Sequence, residues 1–211
     1  MIILRILLWF VVMLVLYRIV IGIIRKLVHF PAPSFISVFL DSRVRGWMQP
    51  PKKIIKNSGI CEGIKVLEIG SGSGFFTIPA AKTVGDNGEI AALDVQQEML
   101  SKITKKLEKD ENSNLKNIRL VKASAYEIPY PAESFDVVFT VSVLQEIPNP
   151  HKVLMEARRV LKKEGIMSVS EFIPDPDWPL PSTVAKQLKA AGFKGIKRYG
   201  NILRYTITGV K

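Results

Sequence analysis

The stretch VLEIGSGSGFFTIP, Val66 to Pro79, runs from an apolar segment into three glycines at alternate positions and then into a segment with helix-forming character. A strand that ends in a glycine-rich turn and leads into a helix presents backbone amides and a helix N-terminus to a ligand, and the glycines let that ligand come close. Gly70, Gly72 and Gly74 give G-x-G-x-G, whereas the dinucleotide fingerprint G-x-G-x-x-G needs a glycine at the position of Phe75. Glu68, two residues before the first glycine, would repel a phosphate but suits an ammonium group. Twenty residues beyond Gly74, Asp94 ends the next apolar run, where a carboxylate accepts hydrogen bonds from ribose hydroxyls. The combination describes a ligand with a ribose, an amino-acid end and no phosphate.

The periodicity outward from this turn alternates between strand and helix. Strands are predicted at Lys65 to Ile69, Glu89 to Asp94, Ile118 to Lys122, Phe135 to Val141 and Gly165 to Phe172, with helices at about Gly74 to Thr83 and Gln96 to Lys109. Asn149 and Pro150 read as N-cap and first-turn proline of a further helix, running to about Leu161. A last helix near Thr183 to Ala191 precedes short strands at about Gly195 to Tyr199 and Arg204 to Val210, joined by a tight turn at Gly200 and Asn201. Such an order predicts an α/β fold: a mainly parallel sheet with helices on both faces and an antiparallel hairpin at one edge.

Upstream of the sheet the chain changes character. Residues 1–24 contain only Arg5 and Arg18 as charges, and the 19 residues from Ile6 to Ile24 make about 28 Å of helix, enough to span a bilayer core. A transmembrane anchor at residues 1–28 is the expectation. The competing readings are an in-plane helix, a buried helix and a cleaved signal peptide. Residues 1–60 hold nine Lys or Arg against one acid, a balance of +8 out of a net charge of +11. Bases crowded beside a greasy segment, not spread over the globular part, point to anionic membrane lipids and away from nucleic acid. They also put the globular domain on the cytoplasmic side of a single-pass protein. Cys61 is the only cysteine, so no intrachain disulfide forms, and neither H-x-E nor H-E-x-x-H occurs, so no metal is expected.

A ligand with those three properties is S-adenosylmethionine. From about Ile60 to the C-terminus the chain resembles the class I methyltransferases, in particular the small-molecule branch similar to ubiquinone and menaquinone C-methyltransferases. The matching stretches are VLEIGSGSGFFTIPAA, IAALDVQQEML, VKASAYEIPYPAESFDVVFTVSVLQEIPNPHKVLMEARRVLKKEG and the closing AAGF. The resemblance implies a Rossmann-like three-layer fold with a seven-stranded sheet, and residues 60–211 as the catalytic domain. It further implies that Glu68, Gly70 and Gly72 line the methionine end, that Asp94 holds the ribose and that Val95 packs on adenine. Ser124 and Ala125 would border the adenine edge, and Val141 and Ser142 would face the sulfonium. Two departures stand out: Ser124 replaces the frequent Asp, and only IPDPDWPLPS fills the place where relatives often insert a substrate lid.

Residues 29–59 are the expected substitute for that lid. Phe35, Phe39, Trp47 and Met48 suit a lipophilic acceptor as well as they suit ordinary packing, while Arg43, Arg45, Lys52, Lys53 and Lys56 read as headgroup contacts or solvated bases. Methyl transfer rests mainly on positioning and exclusion of water, and a base is needed only for a protonated acceptor. Glu146 is the first candidate base, His29 and His151 are weaker candidate bases, and Gln145 and Tyr126 are candidates for orienting the acceptor. The acceptor classes are a quinone-like ring, a phospholipid headgroup and a hydrophobic thiol. Methylation of protein or RNA, or a non-catalytic membrane scaffold that binds the cofactor, are the competing functions.

Overall fold

Val66, Leu67 and Ile69 are all fully buried, so the first strand contributes apolar side chains to both faces of a sheet and needs a helical layer on each. The computed structural model describes residues 43–173, 175 and 178–211. Before them it describes only Arg5, Trp9, Val12, Met13 and Leu16, which are helical and exposed. Strands β1 (Lys65–Ile69), β2 (Glu89–Asp94), β3 (Ile118–Lys122), β4 (Phe135–Val141), β5 (Leu161–Phe172), β6 (Lys194–Gly200) and β7 (Arg204–Val210) form one seven-stranded sheet. Its order is β3-β2-β1-β4-β5-β7-β6. Neighbours are parallel except β7, which runs antiparallel to both β5 and β6.

Six α-helices are described: α1 (Arg43–Met48), α2 (Pro51–Asn57), α3 (Thr77–Val84), α4 (Gln97–Leu107), α5 (Pro150–Val160) and α6 (Pro181–Ala190). On one face Ile54 and Ile55 of α2 and Ala80, Ala81 and Val84 of α3 pack on Val66, Ile90, Val137 and Phe139. Leu100 and Ile103 of α4 cover Ala92 on that side. On the other face Val153, Leu154 and Ala157 of α5, with Val184 and Leu188 of α6, pack on Leu67, Ile69, Val138, Met167 and Val169. Alternate residues of each strand thus feed opposite layers, giving the expected three-layer arrangement.

Two local differences from the periodicity have physical causes. Helix α3 begins at Thr77, not Gly74, because Gly74 stands at φ +85°, outside the right-handed helical region. Strand β5 begins four residues early: Leu161 pairs with Phe135 and Ile166 with Val137, so residues 162–165 bulge out of β5 opposite Asp136, which takes Lys162 Nζ at 2.7 Å and the Lys65 amide at 2.9 Å. Ahead of the sheet, α1 and α2 form from a segment read only as a cover. As expected, Asn149 caps α5, its side chain accepting from the Lys152 amide at 3.0 Å. Among the described residues no helix is long and apolar enough to cross a membrane. The expected anchor at residues 1–28 lies almost wholly outside the described residues.

The edge between α3 and β3 depends on one side chain. Asn117 Nδ2 donates to the carbonyls of Ala81 (2.9 Å) and Gly85 (2.8 Å), satisfying the end of α3. Asn117→Ala should lower stability by about 1–2 kcal/mol, read as a fall in the urea midpoint at unchanged m.

Candidate active site

The glycine turn is held by the end of the neighbouring strand. Gly70 and Ser71 both donate their amides to the Leu93 carbonyl, at 2.9 and 3.0 Å, and the Gly72 amide donates to Asp94 Oδ2 at 2.8 Å. Asp94 Oδ1 accepts from the Gln96 amide at 2.9 Å. Burial raises the Asp94 carboxyl above its ordinary range, and the amides of Gln96, Gly72 and Val95 pull it back. A carboxylate clamped by backbone at a strand's end keeps lone pairs for a diol. Beside it Val95 is about half exposed, an apolar surface open to a flat ring.

Glu68 is buried at the end of β1, and its Oε2 accepts from the Thr77 hydroxyl. Burial pushes its carboxyl up to about 8, although the Thr77 hydroxyl and the Arg45 guanidinium both favour the charged form; Asp94 adds a small push in the same direction as burial. Such a group holds its proton at neutral pH until a cation arrives. The turn itself fits a bound group. A Cβ at Gly72, whose φ is +53°, would meet nothing within 4 Å, whereas one at Gly70 would lie 2.5 Å from a Val143 methyl. The buried Ser71 hydroxyl has no hydrogen-bond partner and offers a donor at the same place. Open space over Gly72, a spare hydroxyl, a cation-seeking carboxyl and a ribose-type carboxylate fit S-adenosylmethionine.

Arg45 corrects the sequence reading. Instead of lying in solvent, it is buried, with its guanidinium 5.2 Å from the ring centroids of both Phe75 and Phe76. Its Nε donates to Gln49 Oε1 at 3.1 Å, and Gln49 Nε2 donates to Ser142 Oγ at 3.4 Å, so α1 lies across both the turn and the end of β4. The four-residue spacing of Arg45 and Gln49 places both on one helix face, the one sequence signal for this contact. Ser71 and Thr77 were also missed, since a serine or threonine in a turn carries no such signal. Trp47, expected to pack or to line a pocket, is 82% exposed. Phe35, Phe39 and His29 lie outside the described residues.

The remaining candidates fall on the other side of the turn. Ser124 is exposed and its Oγ accepts from the Tyr126 amide at 3.2 Å; Ala125 and Val141 are buried. Ser142 stands at φ +56°, a left-handed conformation that is costly for a residue with a side chain, and its amide donates to Ser170 at 2.9 Å. Gln145 and Glu146 sit on the 3-10 turn Leu144–Glu146 that follows β4. Gln145 Nε2 donates to Gln187 Oε1 of α6 at 3.0 Å, and Tyr126 Oη accepts from the Asn149 amide at 2.9 Å. Both therefore also tie this loop to its neighbours. His151 is exposed in the first turn of α5.

A methyltransferase-domain family matches residues 60–206. A demethylmenaquinone methyltransferase of Staphylococcus aureus strain MRSA252 is 33% identical over 143 residues, 68% of this chain and 55% of that protein. The match thus spans about half the length of these relatives. The crystal structure of a SAM-dependent methyltransferase from Aquifex aeolicus superposes with a TM-score of 0.77 at 26% identity, covering 85% of this chain and 99% of that one. The [4+2]-cyclase SpnF superposes at 0.65 with 18% identity, over 77% of this chain and 80% of that one, a likeness of fold alone. With a cofactor-shaped turn and a family match over most of its length, the chain belongs to the class I methyltransferases that use S-adenosylmethionine.

Proposed function

We propose that the protein methylates a lipophilic small molecule at a membrane, with a quinone-like ring as the leading acceptor class. The observation that carries this reading is the position of α1. The first described helix on the C-terminal side of the apolar segment, with Gln49 at its end, lies over the glycine turn and the end of β4, so an acceptor delivered from that side meets the cofactor side of the sheet. The named activity of the Staphylococcus aureus relatives supports the acceptor class. In this reading residues 1–28 anchor the chain, residues 29–59 form the cover, and residues 60–211 carry the chemistry on the cytoplasmic face.

When bound, S-adenosylmethionine supplies a methyl group on a positively charged sulfur. Glu68 receives the ammonium end, Arg45 beside it receives the carboxylate, and Gly70, Gly72 and Gly74 keep the turn open. Asp94 holds the ribose, Val95 and Ala125 flank the adenine, and Ser124 meets its edge. Val141 and Ser142 border the reacting end. Gln145 and Tyr126 orient the acceptor, and Glu146 takes the proton of an acceptor that arrives protonated.

Because Glu68 holds its proton up to about pH 8 in the free protein, an ammonium bound beside it must expel that proton. Cofactor affinity should therefore rise with pH, by up to about tenfold per unit. The rise should level off near 8, where an α-amino group itself titrates. Calorimetry at pH 7 in two buffers of different ionisation enthalpy should show proton release that Glu68→Gln abolishes.

Labelled methyl transfer to fractionated extracts tests the acceptor class. Label in the quinone-containing lipid fraction is expected, label confined to phospholipid or thiol fractions would replace the acceptor, and label in protein or RNA alone would refute the reading. Glu146→Gln should leave cofactor binding intact and lower turnover by about 10²–10⁴-fold with a protonated acceptor.

A further inference from the structure

The charges of the chain are sorted more sharply than the leader alone suggests. Apart from Asp41, every acid lies between residues 61 and 177, where 18 acids outnumber 14 bases; residues 178–211 carry seven bases and no acid. The molecule is thus a mildly acidic body between two basic flanks far apart in sequence. The fold joins them. Arg204, at the start of β7, donates its guanidinium to the carbonyls of Met48 and Trp47, which pins the end of α1 against the turn between β6 and β7.

That turn is apolar where it need not be. Gly200, at φ +93°, and Asn201 make the reversal, with Asn201 Oδ1 accepting from the amides of Leu203 and Arg204 at 3.0 Å. The side chains of Ile202 and Leu203 take no part in the turn's bonding, and 53% and 55% of these residues' surfaces face outward, with an 82% exposed Trp47 on the adjoining end of α1. Behind the tip, Lys197 and Arg198 are exposed on β6, three and two residues before Gly200. Of the described acids nearby, Glu171 is buried and Asp175 half-buried. Strand β6 runs in the same direction as β5, because both pair antiparallel with β7. The turn therefore stands at the carboxyl end of the parallel strands, the end that carries Gly70, Asp94 and Ser142.

We propose that the β6–β7 turn and Trp47 together dock on an anionic lipid surface, as a second membrane contact beside the leader. An apolar tip rimmed by cations matches a bilayer with acidic headgroups: side chains enter the interface while Lys and Arg meet phosphates. A nucleic acid would find the cations but no use for Ile202 and Leu203. Docking by this end turns the mouth of the cofactor site to the leaflet. The proposal rests on the membrane reading above, and deepens it by naming a surface of the globular domain that touches the lipid.

A fluorescent depth probe tests it in the full-length chain. Cys61 is the only cysteine and is exposed, so Cys61→Ser gives a background for single cysteines at the tip (Ile202→Cys) and at the opposite end of the sheet (Asn87→Cys), each labelled with an environment-sensitive dye. Calorimetric binding of S-adenosylmethionine certifies the fold of each variant independently of lipid. On vesicles of phosphatidylglycerol and phosphatidylcholine in equal parts, the tip dye should shift to the blue and be quenched by doxyl lipids, while the dye at 87 stays in water. At about 1 M salt, where the Debye length falls to about 3 Å, the tip dye should return towards water while the chain stays on the vesicles. A tip dye as wet as that at 87 on vesicle-bound protein overturns this proposal alone. A tip dye already shielded without lipid overturns it in favour of the chain's own leader or a second copy. No association of the chain with vesicles at all overturns both membrane readings.

Discussion

The turn after β1 is closed on the neighbouring strand, and the rest of the site depends on that stitch. Leu93 accepts from two consecutive amides of the turn, and Asp94 from the next one. The carboxylate expected to meet the ribose is thereby also the group that shapes the cradle for the methionine end. Register between β1 and β2 becomes a condition of ligand binding: a slip by one residue would carry Asp94 to the opposite face of the sheet and leave the turn amides without acceptors. Both strands are apolar on both faces, so their pattern alone does not oppose that slip, and the amide bonds of the turn to Leu93 and Asp94 help to hold the register.

Much of this was legible in the sequence for a simple reason. Where a parallel sheet is covered on both faces each strand reads as a short apolar run and each helix as an amphipathic one, so β1, β2, β4 and the helices between them declare themselves by period. The exposed edge strand β6 is marked instead by the hairpin turn at Gly200 and Asn201. Glu68 declares itself by its place, an acid inside the apolar run that leads straight into the glycines. What stayed hidden depends on distant partners. Arg45 is one base among several in a basic segment, and its burial is decided by two phenylalanines thirty residues later. The early start of β5 depends on Asp136 finding Lys162 and the Lys65 amide, a pairing that no local period encodes. The left-handed Ser142 is likewise set by tertiary contacts, its amide fixed by β5 and its hydroxyl by Gln49.

The cover and the core are joined by different kinds of bond. The sheet and its helical layers are held mainly by apolar packing. The segment that ends in α1 and α2 adds polar links to its apolar packing: Ser58 with Ser168 at 2.8 Å, Gln49 with Ser142, and Arg204 with the end of α1. Polar contacts of this kind fix direction more than they add net stability, since water competes for the same groups. They suit a part whose orientation over the turn matters more than its contribution to folding.

The contact between Gly70 and Val143 couples two regions that differ in chemistry. With no room for a single Cβ between them, the glycine turn and the loop bearing Gln145 and Glu146 share a van der Waals wall. Neither can advance without the other giving way, so the two halves of the site are geared, not independent. A displacement of a few tenths of an ångström in the loop after β4 reaches the glycine turn as a steric push, with no conformational switch and no intervening charge.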